Sequence, residues 1–239
     1  MITSPHNEKL KLVRKLRERK HREREGLFVS EGEDLVQAGL AAGVAPRFVL
    51  TAAGLDLDGE EVEPALLDEI STLGSGTRAI AVWPQRWAPA AIAPALYLHG
   101  VADPANVGAI VRTAAALLGG TVVLGPGCAD PYGPKAVRAS MGAVFHQPLL
   151  RAPVAETPAG RAALVAHGGD GLEALGGAAT ICLGAERAGL PDEVLAACDR
   201  KVTIPLRPGA AESLNVAAAA AVAAYRLSSL GSREIAQDA

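Results

Sequence analysis

The segment from Val202 to Tyr225 constrains this chain more than any other. It reads Val-Thr-Ile-Pro-Leu-Arg-Pro-Gly-Ala-Ala-Glu-Ser-Leu-Asn-Val and then runs on through Ala and Val to Tyr225. A short β-type run ends at Ile204, and Pro205, Pro208 and Gly209 stop regular structure. Glu212 and Ser213 fall where a helix should begin, so Ser213 is the expected N-cap and Glu212 suits the positive end of the helix dipole. Beyond Val216 the helix has no polar face, and such a helix is expected to be buried. Burying it carries the Ser213-Leu214-Asn215 turn inward beside irregular backbone, a setting for a small molecule. The plainer alternative is a capped core helix whose Ser213 and Asn215 serve only neighbouring backbone groups.

What precedes this segment alternates strand and helix. From residue 95 onward, strands are expected at 95–99, 121–124, 143–149, 162–167, 180–183 and 201–204, with helices at 106–118, 134–139 and 192–197. That alternation predicts an α/β fold with a mostly parallel sheet covered on both faces. Ahead of it, residues 1–84 form a smaller α/β unit. Its helices are expected at 7–21, 31–42 and 64–70, its strands at 26–30, 46–51 and 78–83, and residues 54–63 read as an acidic connection without regular structure. The prolines of 85–94 block helix and central strand alike, so this stretch is a candidate linker. The expected organisation is 1–84, a linker at 85–94, a domain at 95–231 and a frayed tail at 232–239.

The net charge of −3 conceals an asymmetry. Residues 1–25 hold nine bases against four acids, and the rest holds 14 bases against 22 acids. A basic arm on an acidic body suits an anionic partner, with Lys9, Lys15, Arg19 and Arg22 as candidate contacts to it. The competing reading is a solvated helix with internal ion pairs. The three cysteines, Cys128, Cys182 and Cys198, are few and far apart, which suggests reduced thiols, a cytoplasmic setting and no metal cage. No apolar run suits a membrane span, and no apolar region follows Met1 in the manner of a signal peptide.

Two further stretches join the first. In His99-Gly-Val-Ala-Asp103-Pro104-Ala-Asn106-Val-Gly108-Ala-Ile-Val-Arg112, a strand runs into a turn forced by Asp103-Pro104. Asn106 follows at a helix start, and Arg112 lies among apolar neighbours, where it needs an anionic partner or an opening to solvent. In Leu183-Gly184-Ala-Glu186-Arg-Ala-Gly189-Leu190, glycines permit close backbone approach, and Glu186 brings a carboxylate to the end of a strand. Open parallel sheets bind ligands at that edge. Each stretch alone also reads as an ordinary turn.

Together, in this order and near these separations, the three stretches resemble the motifs of the SpoU (TrmH-like) family of RNA 2′-O-ribose methyltransferases, within the SPOUT class. The likeness covers about residues 95–230. The stretches Asn7-Glu-Lys-Leu-Lys and Gly26-Leu-Phe-Val-Ser-Glu-Gly32 also resemble that family's substrate-binding domain. The resemblance implies a C-terminal deep trefoil knot, an exception to the rule against threading, and a homodimer through the C-terminal domain. It implies S-adenosylmethionine bound by backbone around Leu183, Gly184, Ile204, Leu206 and Leu214. It sets Asn106, Arg112, Glu186, Ser213 and Asn215 at catalytic or substrate-facing positions. Between Ile204 and Ser213 the loop is about one residue longer than the family pattern, which leaves its cofactor contacts open.

The implied reaction is methylation of a ribose 2′-hydroxyl in structured RNA. Ribosomal RNA is favoured over transfer RNA because a separate N-terminal recognition domain is present. Arg112 as general base sits poorly with an arginine that stays protonated; stabilising a developing alkoxide and gripping the adjacent phosphate suit it better. Two rivals are weaker. A dinucleotide-binding oxidoreductase is suggested only by Gly125-Pro-Gly127, which lacks its third glycine. A non-catalytic RNA-binding protein on the same scaffold would not need Asn106, Arg112, Glu186 and Asn215 intact.

Overall fold

A computed structural model describes residues 1–207, 209 and 212–237, with side chains up to 230. Pro208, expected to interrupt regular structure, and residues 238–239 of the expected tail lie outside the described residues. The chain forms two compact units, and these do not follow its order. One comprises Met1–Gln85 and Asp130–His146; the other comprises Arg86–Ala129 and Gln147–Ala239.

In the first unit, α1 (Glu8–Lys15) is capped by Asn7, whose side chain accepts from the Lys9 N–H at 2.9 Å. Instead of continuing, the helix breaks, and α2 (Arg19–Glu25) begins a separate turn ended by Gly26 at φ 64°. The break has a chemical cause. The Arg22 guanidinium donates to the Leu16 and Arg17 carbonyls, each at 2.8 Å, satisfying groups that the end of a helix leaves bare.

Strands β1 (Leu27–Glu31), β2 (Phe48–Ala52), β3 (Glu60–Val62) and β4 (Ala79–Pro84) form a sheet in the order β1-β4-β2-β3. Strand β3 lies inside the acidic stretch expected to be irregular. It pairs parallel with β2 although Glu60 and Glu61 are exposed, because an edge strand needs only one buried residue, here Val62. One face of the sheet packs on Leu10, Val13, Leu16, Leu67 and Ile70 of α1 and α4 (Pro64–Ile70) and the residue following α1. On the other side, α3 (Glu33–Ala41) approaches Trp83 so closely that a Cβ on Gly39 would sit 2.6 Å from its ring.

The excursion Asp130–His146 completes this unit. It contains α6 (Pro134–Ala139), which packs on β1. Tyr132 and Phe145 join Phe28 and Trp83 in a ring cluster with centroid separations of 4.8 to 5.7 Å. Asp130 pairs with Arg22 at 2.8 Å, both side chains only 5% exposed. The expected strand at 143–149 is therefore corrected: Ala143–Phe145 is a single 3₁₀ turn after Gly142 at φ 90°, and it delivers Phe145 to that cluster.

The second unit holds β5 (Ala95–Leu98), β6 (Val122–Leu124), β7 (Leu149–Arg151), β8 (Arg161–Leu164), β9 (Thr180–Leu183) and β10 (Arg200–Val202). All pairs are parallel, in the order β10-β8-β9-β5-β6-β7. Strands β5 and β9 lie centrally and are buried along their whole length, as parallel strands covered on two faces must be. Successive strands are laid down to either side of β5, so the order reverses between β5 and β9. Helices α5 (Pro104–Leu117), α7 (Asp192–Ala196) and α8 (Val216–Gln237) complete the unit, with α8 packed on α5.

Three expectations change here. The stretch 85–94 is not a free spacer: Ala88 N–H donates to the Leu149 carbonyl at 2.7 Å, and Ile92 and Thr121 exchange bonds at 2.8 and 2.9 Å. The helix α8 runs to Gln237, through most of the expected tail. It is also not buried all round. Ala220, Ala223 and Ala224 are covered, while Val222 and Tyr225 are 36% and 65% exposed.

Candidate active site

The site forms where the sheet order reverses, at the C-terminal ends of β5 and β9. After β5, the chain turns at Asp103, whose carboxylate accepts from the Ala105 N–H at 2.9 Å and caps α5. Pro104 occupies the first helical position, where a missing N–H costs nothing. Asn106 follows in the first turn, 9% exposed.

After β9, residues 184–190 fold into a tight loop. Ala185 and Gly189 exchange backbone hydrogen bonds at 3.1 and 2.8 Å. A Cβ on Gly184 would lie 2.2 Å from the Gly189 carbonyl carbon, so only glycine fits there. Gly189 adopts φ 67°, which glycine tolerates best. The turn holds Glu186 outward at the strand end.

The third stretch arrives from β10. Asn215, not Ser213, caps α8: its side-chain oxygen Oδ1 accepts from the N–H groups of Ala217 and Ala218 at 2.9 and 3.3 Å. The turn Glu212–Asn215 is exposed rather than carried inward. The reason is that α8 offers only its Ala220–Ala224 side to the core, which leaves its first turn at the surface.

These three stretches meet side chain to side chain. The Asn215 amide donates to the Asn106 oxygen at 3.1 Å, and the Asn106 amide donates to the Glu186 carboxylate. One asparagine thus links residues far apart in the chain and fixes the relative positions of β9, α5 and α8. Arg112, further along α5, is exposed. Among the described residues it has no ion-pair partner, so the opening to solvent is the alternative its apolar neighbours required.

Beside this chain of bonds lies a cavity of about 690 Å³. Leu183, Gly184, Ile204, Leu206 and Leu214 all line it, as do Glu186 and Ser213. Asn106, Arg112 and Asn215 are not among its walls. Sequence reasoning missed the wall made by Leu164 to His167 at the end of β8. The signal was available, since β8 is next to β9 in a parallel sheet and its C-terminal end must open on the same edge. The walls combine apolar side chains with polar ones, and Glu186, Glu212, Arg187 and His167 are all among the lining groups. A pocket of this size and mixed character suits a nucleoside-sized molecule with both apolar and polar parts.

Other candidates resolve differently. Arg22 is buried against Asp130 and cannot contact RNA. Lys9 pairs with Glu60, Arg19 pairs with Glu23 at 2.8 Å, and Lys15 is exposed. The Gly125-Pro-Gly127 loop is packed on Tyr97 and Gly100 and leads into no helix in its own unit. Tyr97 beneath it is held neutral, its hydroxyl pushed up to about 12 by burial. Among the described residues no cluster of His, Cys, Asp or Glu could hold a metal, and no helix is long and apolar enough to cross a membrane.

Comparison with known proteins gives a consistent picture. Residues 93–225 match the model of the SpoU rRNA Methylase family, and residues 7–82 match the MRM3-like substrate binding domain. A 23S rRNA (guanosine(2553)-2′-O)-methyltransferase of Bacillus subtilis is 31% identical over 95% of this chain and 98% of its own length. A putative RNA methyltransferase of the TrmH family from Porphyromonas gingivalis superposes with a TM-score of 0.75 at 30% identity, covering 95% of this chain and 98% of that one. The SpoU methyltransferase AviRb from Streptomyces viridochromogenes, solved in complex with the cofactor AdoMet, superposes with a TM-score of 0.80 at 25% identity, covering 96% and 99%.

Proposed function

We propose, from the premise that this chain belongs to the SpoU rRNA methylase family, that it is an S-adenosylmethionine-dependent RNA (ribose-2′-O)-methyltransferase acting on ribosomal RNA. The observation that carries the reading is the bonded series Asn215, Asn106, Glu186 at the rim of the cavity. It joins all three motifs at one place, next to a pocket large enough for the cofactor.

When bound, S-adenosylmethionine supplies a methyl group activated by its sulfonium, which a ribose 2′-oxygen can accept. The chain's own part is positioning and electrostatics. Leu183, Ile204, Leu206 and Leu214 enclose the cofactor, and Gly184 lets backbone approach it. Arg112, exposed and unpaired among the described residues, stabilises charge developing on the 2′-oxygen and grips the neighbouring phosphate through its planar fork. Asn106 and Asn215 hold Glu186 and the start of α8 in place, and Ser213 holds the loop against the nucleotide. The first unit, with Lys15 and Arg19 on its exposed surface, binds RNA.

The exposed Val222 and Tyr225 of α8 support a homodimer through the second unit, since an apolar face of this kind calls for a cover. The route from β10 at the sheet edge back to α8 against α5 is compatible with the expected trefoil knot. Three free cysteines accord with a cytoplasmic setting.

The test is direct. Purified protein, radiolabelled S-adenosylmethionine and ribosomal RNA should yield label in a 2′-O-methylated nucleoside after complete digestion, identified by mass spectrometry. Label on a base, or no transfer to any ribosomal RNA despite cofactor binding, would overturn the assignment.

A further inference from the structure

The two cysteines that bracket the 183–190 segment pack in one apolar cluster. Cys182 is the third residue of β9 and fully buried, in an apolar cluster with Tyr97, Ala163, Leu190 and Val194. Cys198 follows the end of α7, packs against the same cluster and is partly exposed. Between them lies every residue of the 183–190 loop and the whole of α7. Leu183, Gly184, Glu186, Leu190 and Leu195, all in that interval, line the cavity.

We propose that Cys198 and Cys182 form a peroxide-sensitive dithiol pair whose disulfide closes the cofactor-binding segment on itself and weakens cofactor binding. The cofactor part of this proposal rests on the function read above; the disulfide part does not.

The chemistry needs a hydroperoxide as oxidant and nothing else. The Cys198 thiolate attacks the terminal peroxide oxygen; an S–O bond forms, the O–O bond breaks and hydroxide (or an alkoxide) leaves. Cys182 then attacks the resulting sulfenic sulfur; the S–S bond forms, the S–O bond breaks, and the departing hydroxide takes the thiol proton as water. In sum, two thiols and one peroxide give a disulfide and two molecules of water, or one water and one alcohol.

The roles divide by environment. The Cys182 thiol is pushed strongly up, first by sharing its proton with Cys198 and then by burial. The Cys198 thiol moves down because Cys182 donates toward it, with Arg161 contributing and Asp199 opposing. Cys198, the lower and more accessible of the two, is thus the attacking group and Cys182 the resolving one. Arg161 is fixed at that spot by its bonds to Thr157 and to the Ala155 and Ala197 carbonyls. Cys128 serves as an internal control: Cys128 and Cys198 each donate a thiol hydrogen to a carbonyl at 3.2 Å, those of Leu98 and Val194, but burial raises the Cys128 thiol.

The effect on binding follows from what can move. Cys182 is held in the centre of the sheet between β8 and β5, while Cys198 sits in a turn after a short helix. Drawing the sulfurs to the roughly 2 Å of a disulfide pulls the end of α7 toward the sheet. Leu195 and Leu190 move with it and crowd the cavity.

Full-length protein is treated with hydrogen peroxide, alkylated and mapped by mass spectrometry without reduction, and its affinity for S-adenosylmethionine is measured by calorimetry before oxidation, after it, and after a thiol reductant. The expected result is a Cys182–Cys198 cross-link ahead of any Cys128 oxidation, with affinity reduced about tenfold (1.4 kcal/mol) and restored by reduction. By reciprocity, saturating cofactor should slow the cross-link. Cys198→Ser should bind the cofactor like the reduced protein and ignore peroxide. If Cys198 stays a free thiol, or the cross-link forms and affinity does not change, the proposal is wrong. If the reduced protein binds no S-adenosylmethionine, the functional reading fails instead, and the peptide map still decides the disulfide.

Discussion

Asn106 uses a single amide for two purposes, accepting from Asn215 and donating to Glu186. Neither partner is near it in the chain, so its removal should unfasten α8 and the 184–190 loop together. Asn106→Ala is expected to lower methyl transfer about 100-fold, the scale of an ångström-sized misplacement at a reacting centre, with a smaller loss in cofactor affinity because Asn106 does not line the cavity. Arg112→Ala addresses the chemistry more directly. Losing one group that stabilises developing charge costs about 10²- to 10³-fold in turnover, and the cofactor dissociation constant should change less than about threefold, or roughly 0.7 kcal/mol. Single-turnover kinetics beside calorimetry checks both. Equal losses of binding and turnover in Arg112→Ala would move that residue into the cofactor pocket. A basic limb of the pH–rate profile displaced by Arg112→Lys would restore arginine as the base.

The element most in need of reinterpretation is α8. Its composition gave no polar face from which to tell inside from outside. An all-apolar helix reads as buried, yet Val222 and Tyr225 stand exposed while Ala220, Ala223 and Ala224 are covered. Alanine and valine carry too little contrast to mark a face, and a surface awaiting a second copy looks the same in sequence as a core. If Tyr225 and Val222 lie in a dimer interface, Tyr225→Asp with Val222→Arg should convert the protein to a monomer at micromolar concentration by light scattering. A dimer that survives both changes would exclude this face. The cap was misread for a related reason: Ser213 and Asn215 are both good N-cap residues, and the register that chose Asn215 is set by its second bond, to Asn106. Asn215→Ala is therefore expected to cost more than the roughly 1 kcal/mol of an ordinary cap. By contrast, most strands of the second unit were legible, because buried parallel strands are short apolar runs; β7 was not, since the strand expected at 143–149 begins only at Leu149. All five cofactor-lining candidates face the cavity. The acidic edge strand β3 and the 3₁₀ turn at Ala143–Phe145 were not legible, since only their partners make them regular.

At the scale of the whole molecule, the division of the chain at its prolines proves too simple. The chain leaves the second unit after Ala129, contributes Asp130–His146 to the first, and returns at Gln147. A charge pattern cannot report this, and it misdirected the reading of Arg22. That residue counts toward the basic arm in sequence, but it is buried against Asp130 and caps the end of α1. The two consequences can be separated. Neutralising Lys15 and Arg19 should weaken RNA binding and flatten its salt dependence, by up to about 0.9 in logarithmic slope for each phosphate no longer neutralised, and leave stability nearly unchanged. Asp130→Asn should do the reverse. It leaves a guanidinium buried without its counter-charge, a change that costs about 3–5 kcal/mol, while the cavity residues in the other unit are untouched. Chemical denaturation should show the midpoint of the first unit falling, with cofactor affinity unchanged at low denaturant. Replacing both partners, as Arg22→Met with Asp130→Leu, removes the stranded charge and should recover part of the loss; the recovery is incomplete because the Leu16 and Arg17 carbonyls lose their donor. A fragment beginning at residue 95 would also strip Tyr132 and Phe145 of Phe28 and Trp83, so it should aggregate unless 130–146 is replaced by a short polar loop. If Asp130→Asn is as stable as the parent protein, or the unmodified fragment is soluble and binds cofactor normally, the excursion is not an integral part of the first unit.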